Sequence, residues 1–278
     1  MEERKERFST FSSSNIYRLT GLGTREMTPE EILEHKKENS KSRKKTIKHR
    51  DTPNDQFYNY VKEKKREAKL KREINTKAYT RPIIWGIVCE LYVFEKKLGL
   101  EYSNMNKVGR LIHGEIENWT GIPDTFQKTK KIVGDIKCPS SLIKFCDLIE
   151  NHQQSVEIFK ENHFDYYWQL VSNTILTGED KSESIFFVPY LRDLEEIGDF
   201  VDNLPQEELP KDLEWFQIQF ISEEIKSYLE NGKMPMSIPY LPNDSEYKSF
   251  NSFVFDIPQE DIDFLTERVK KAVEELNK

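Results

Sequence analysis

Between Gly121 and Ser141 the chain reads GIPDTFQKTKKIVGDIKCPSS, and no other stretch constrains the fold as much. Two apolar-framed segments flank a lysine-rich turn, the pattern of a β-hairpin with strands near 116–126 and 131–137. Each segment carries an aspartate where a strand prefers Val or Ile: Asp124 follows Gly-Ile-Pro, and Asp135 lies between Ile132-Val133-Gly134 and Ile136. A carboxylate withdrawn from water costs several kcal/mol unless something compensates it. Lys137 stands two residues after Asp135, so on a strand both side chains leave the same face. The fold must therefore gather acidic and basic groups on one apolar strand.

Around this stretch the spacing predicts alternating helices and strands. Residues 9–20 predict a short helix capped by Ser, and Thr28, Pro29 and Glu31 mark the start of a helix over 28–38. A polar loop is expected over 39–56 and a charged helix over 57–75. Apolar residues at 84, 87, 88, 91 and 94 predict a buried helix over 81–98 that carries Glu90. Further helices are expected at 141–150, 164–177, 222–231 and 258–277, and strands at 184–190, 215–221 and 252–257. The order predicts one α/β domain, a mixed central sheet flanked by helices. Its parts are a basic segment to residue 80, a core over 81–190 and an acidic part over 191–278.

The chain of 278 residues has net charge −7, which by itself argues against a polyanionic partner. The distribution argues for one. Residues 1–80 hold 21 Lys and Arg against 13 Asp and Glu, whereas residues 191–278 hold 9 against 21. The local field decides what a polyanion meets. Three cysteines without a C-x-x-C pair argue for reduced thiols and against a disulfide framework or zinc. No long apolar run or signal-peptide pattern is present, so a cytoplasmic protein is expected.

Asp124 on the neighbouring strand can reach the face of Asp135 and Lys137, and Glu90 on the preceding helix is a third acid. Three carboxylates and a lysine suit Mg²⁺ or Mn²⁺, hard cations that take oxygen ligands. Two ions held this way can stabilise the attacking and leaving oxygens of a phosphodiester displacement. Lys137 then orients water or neutralises charge on the reacting phosphate. Asp/Glu-x-Lys alone is unspecific; it recurs in charged surroundings at Glu34, Glu63 and Glu95. The apolar frame and the Pro-Asp eleven residues upstream of Asp135 make it specific. His113 is either a metal ligand or structural. Trp119 and Trp168 either stack on bases or pack in the core.

Glu90 on its helix, GIPDTF, VGDIKCP and YYWQLVSNTILTG resemble the PD-(D/E)XK nuclease core, and within it the lambda exonuclease and YqaJ-like viral recombinase group. The elements are Glu90, Gly121 to Asp124, Asp135 to Pro139, and Tyr166 with Gln169. Asp135 stands where that family most often has Glu. The resemblance spans 81–190 clearly, is fair at the N-terminus and weak after 191. It implies a restriction-endonuclease-like fold and a Mg²⁺- or Mn²⁺-dependent deoxyribonuclease that resects double-stranded DNA ends 5′ to 3′ for recombination or repair. It implies catalytic Glu90, Asp124, Asp135, Lys137 and Gln169. Two ions would be held by Glu90, Asp124, Asp135 and the backbone carbonyl of Ile136. Arg7 and Ser14, with Ser13 as a rival, would hold the DNA 5′-phosphate. A single-strand annealing protein and a ring-shaped homo-oligomer are further implied partners. The alternatives are an endonuclease on the same fold and a non-catalytic DNA-binding protein.

Overall fold

The computed structural model describes residues 8–38, 44–74, 79–210, 213–232 and 238–278, and its N-terminal part is not purely helical. Strand β1 (Phe11–Ser12) leads into a 3-10 helix, Ser13–Leu19, that buries Ile16 and Leu19. Strand β2 (Leu22–Glu26) and helix α1 (Pro29–Glu38) follow. The α1 start is capped as its sequence foretells: Glu31 N–H donates to Thr28 Oγ1, and Thr28 N–H to the Glu31 carboxylate. Strand β3 (Thr46–Pro53) pairs antiparallel with β2, so the expected loop over 39–56 is a strand in its second half, while 39–43 lie outside the described residues. The polar sequence hid it because the ribbon is exposed on one face, and its hydrogen bonds come from a partner some twenty residues away. Helix α2 (Asp55–Leu70) starts at Asn54, which accepts the Phe57 N–H, and ends where Lys71 turns left-handed.

Helix α3 (Arg81–Tyr92) has Pro82 in its first turn and buries Ile84, Trp85, Val88, Cys89 and Tyr92. Then come β4 (Tyr102–Asn104), α4 (Met105–Val108), β5 (Leu111–Ile112), β6 (Trp119–Gly121), β7 (Thr125–Gln127) and β8 (Ile132–Lys137). The strand expected over 116–126 is thus two strands. Pro123 has no N–H for a ladder, and at Ile122–Asp124 the chain leaves the small β1-β6-β5 sheet and enters the main one. Helices α5 (Leu142–Gln154), α6 (Val156–Asn162) and α7 (Phe164–Thr177) precede β9 (Lys181–Phe187). Helices α8 (Leu194–Asp202) and α9 (Trp215–Asn231), strand β10 (Phe250–Asp256) and α10 (Gln259–Asn277) complete the chain.

The strand expected over 215–221 is the start of α9. Ile218, Ile221, Ser222 and Ile225 are buried at helical spacing, while Phe216 and Phe220, which made the segment look like a strand, are exposed. Glu214 and Gln217 close its first turn reciprocally.

The main sheet has the order β10-β9-β8-β7-β4; β8 and β9 run parallel and the other pairs antiparallel. Strand β8 is therefore interior. On one side lies a core containing Phe145, Tyr167, Leu170, Val171 and Phe186, which also takes in Phe11 and Val269. On the other lies a core of Trp85, Val88, Ile136, Ile185, Phe187, Ile197 and Ile221. Gly134 sits where β7 comes closest: an added Cβ would lie 2.1 Å from Thr125 Oγ1. Gly134→Ala is expected to cost about 1–3 kcal/mol, as overpacking does. Adding Thr125→Ala should restore much of it, since the threonine Cβ stays at an ordinary 3.5 Å. Urea unfolding midpoints decide this; equal losses in the single and double variants would clear Thr125 as the obstacle.

Candidate active site

Asp135 ends up buried near the end of β8, opposite Ser184 of β9, with its side chain 2% exposed. The Lys137 ammonium, from the same face of the strand, makes an ion pair with Asp135 Oδ2. Gln169 of α7 joins them: its Nε2 donates to Asp135 Oδ1 at 2.7 Å, and its Oε1 accepts from Lys137 Nζ at 3.2 Å. One amide thus uses both its ends to fix the acid and the base relative to each other.

Asp124 enters from the β6–β7 link and is pinned by its backbone. Its N–H donates to Gly134 O and its carbonyl accepts from Met105 N–H, both at 3.1 Å. Its carboxylate Oδ2 accepts the Ile136 N–H at 2.7 Å. Glu90, half-buried on α3, accepts from Asn106 Nδ2 at 3.1 Å. Burial pushes the Asp124 carboxyl well above the ordinary carboxylate range, and the charges of Glu90 and Asp135 push it further. Burial lowers the Lys137 ammonium's affinity for its proton, but Asp135 and Asp124 outweigh that and hold it above its ordinary value. The lysine stays charged, and three acidic side chains converge on its one ammonium.

The donor set fits a hard divalent cation in two respects: its side-chain ligands are all oxygen, and its carboxylates repel one another. As they stand, Asp135 is closed on Lys137, Asp124 on the Ile136 N–H and Glu90 on the Asn106 amide. Among the described residues no three His, Cys, Asp or Glu side chains form a ready metal cage.

No protein-family model matches the chain, and no curated protein matches its sequence. Among solved structures it is similar to an alkaline exonuclease from Laribacter hongkongensis, over 98% of this chain and 89% of that one, with TM-score 0.51 and 12% identity. The same enzyme in complex with dAMP matches with TM-score 0.51 and 11% identity over the same shares. A phage-related exonuclease from Haemophilus somnus 129PT matches over 96% of this chain and 93% of that one, with TM-score 0.48 and 15% identity. The fold is that of the Laribacter exonuclease. At such identity the likeness speaks for the fold, and the chemistry has to be argued from the residues.

Several other residues singled out in the sequence have structural roles. His113 stacks on Trp119 with ring centres 4.9 Å apart, and its Nδ1 accepts the N–H groups of Glu115 and Ile116. It tightens a turn and is not placed as a metal ligand. Trp119 and Trp168 are core residues, 0% and 2% exposed, and cannot stack on bases as placed. Ser13 is buried too; its hydroxyl meets that of Ser172 at 2.8 Å and donates to Thr120 O at 3.4 Å. That removes it as a phosphate ligand and leaves the exposed Ser14. Arg7 lies outside the described residues. Asn106 escaped the sequence reading because nothing local marks it: the α4 turn alone brings it to Glu90. Among the described residues no helix is long and apolar enough to cross a membrane.

Proposed function

We propose that the chain is a divalent-metal-dependent deoxyribonuclease that degrades one strand of double-stranded DNA from its ends, 5′ to 3′. The observation that carries this reading is the Asp135–Lys137–Gln169 triangle beside Asp124 and Glu90 at the end of a buried strand. The exonuclease fold adds to it.

In this reading Glu90, Asp124, Asp135 and the Ile136 carbonyl hold Mg²⁺ or Mn²⁺. The bound cation supplies charge at the attacking and leaving oxygens of the phosphodiester. Lys137 places its ammonium against the reacting phosphate, and Gln169 keeps it from swinging away. The Ile136 N–H holds the Asp124 carboxylate in one orientation. A relict site would have no reason to keep this arrangement satisfied on both ends of Gln169.

End-dependence is the test. Linear duplex should be degraded while covalently closed circular DNA survives; cutting of the circle at a similar rate would instead favour an endonuclease. Within the exonuclease reading, Arg7→Ala and Ser14→Ala should each narrow the preference for 5′-phosphate over 5′-hydroxyl ends about tenfold or more. That is the effect of losing one charge-assisted hydrogen bond, roughly 1.5–3 kcal/mol. Initial rates on the two ends measure it, and an unchanged ratio would leave the N-terminal segment no part in end recognition.

A further inference from the structure

Lys144 lies in the first turn of α5, the helix that follows β8 and the Pro139 turn. Its ammonium sits 4.4 Å from the centre of the Tyr166 ring. Lys137 Nζ is 5.1 Å from the centre of that same ring. One tyrosine ring therefore lies beside two ammonium groups, and it stands one helical turn before Gln169 on α7. Their charge balance differs. Lys137 is neutralised by Asp135, whereas among the described residues Lys144 has no carboxylate within ion-pair distance. Lys144 is half-buried, so its charge is partly withdrawn from water without an anion to meet it. The aromatic face offers a cation modest compensation only.

We propose that Lys144 holds a backbone phosphate of the nucleic acid beside the one under attack, with Tyr166 setting its position. The inference rests on the nuclease reading and deepens it. A strand carries one phosphate charge per nucleotide, so a second cation beside the same ring as Lys137 meets a neighbouring phosphate of the same strand. Holding that phosphate carries no sequence information; it fixes the register of the strand over the carboxylates. The first turn of α5 brings no acidic residue that would oppose it.

The test is the salt dependence of binding, since neutralising one phosphate fewer makes the slope of log K against log salt shallower by about 0.9 for duplex DNA. The full chain is titrated with a fluorescent 5′-phosphorylated duplex in Ca²⁺, as wild type, Lys144→Ala and Lys144→Met. The Met variant keeps an apolar stem on Tyr166 and loses only the charge. Both variants should bind about tenfold more weakly near 0.1 M salt, with the slope shallower by about 0.9. Lys226→Ala, whose ammonium is already paired with Asp202, should leave the slope unchanged. A wild type that binds while both Lys144 variants keep its slope would overturn the assignment of Lys144 alone. A wild type that does not bind duplex at all would overturn the nuclease reading together with it. If Ala unfolds the chain, shown by its melting curve, the Met variant decides.

Discussion

Asp135→Asn and Lys137→Ala are each expected to lower cleavage of linear duplex by roughly a hundred- to a thousandfold or more, with DNA binding retained. The two losses have different origins. In Asp135→Asn the Gln169 Nε2 donor still finds an oxygen, but the carboxylate that neutralises Lys137 is gone, and a cation ligand with it. In Lys137→Ala the carboxylates remain, and their repulsion with them: Asp124 loses the positive charge that draws its titration back towards the ordinary range. Lys137→Arg should recover little, because a forked guanidinium cannot take the place of one ammonium between Asp135 and the Gln169 amide oxygen. Time courses on linear duplex beside binding curves check the split. Near-normal cleavage by either variant would take that residue out of the chemistry. Thermal unfolding belongs beside them, since removing one partner of a buried pair leaves the other uncompensated.

Removing divalent metal is the second change with a large expected effect. Activity should vanish in EDTA, return with Mg²⁺ or Mn²⁺, and stay absent in Ca²⁺ although DNA still binds. Calcium accepts oxygen ligands with looser geometry and activates water poorly. Stability gives a readout that needs no catalysis. Glu90 and Asp135 crowd Asp124, so a bound cation relieves a repulsion built into the fold. At about a hundred times its dissociation constant, a cation that binds only the folded chain stabilises it by about 2.7 kcal/mol. For a chain of this size that is roughly 5–10 °C in melting temperature. Asp124→Asn should melt higher than wild type without metal and gain little from Mg²⁺. Full cleavage in EDTA, or equal Mg²⁺ shifts in both chains, would refute a cation held by these carboxylates.

Where residues close in sequence make the arrangement, the sequence alone determined it. Asp135 and Lys137 share a face because a strand alternates with period two, and the apolar frame of Ile132, Val133 and Ile136 shows that the strand is interior. The start of α1 is written in Thr28, Pro29 and Glu31, since a capping box closes within four residues. Helix α3 and its Glu90 follow from apolar spacing. Tertiary structure decided what depends on a distant partner. The exposed ribbon of β2 and β3 exists only as a pair, and α9 turns a strand-like run helical because its Ile218–Ile221–Ile225 face has a core to enter. The same holds at the site: Gln169 reaches Asp135 and Lys137 across more than thirty residues, Asn106 reaches Glu90 through a turn, and Lys144 and Lys137 meet only over Tyr166. Burial, the cause of the raised Asp124 carboxyl, depends on where every layer packs; a sequence names the charges, and only the packed layers set how strongly they feel one another.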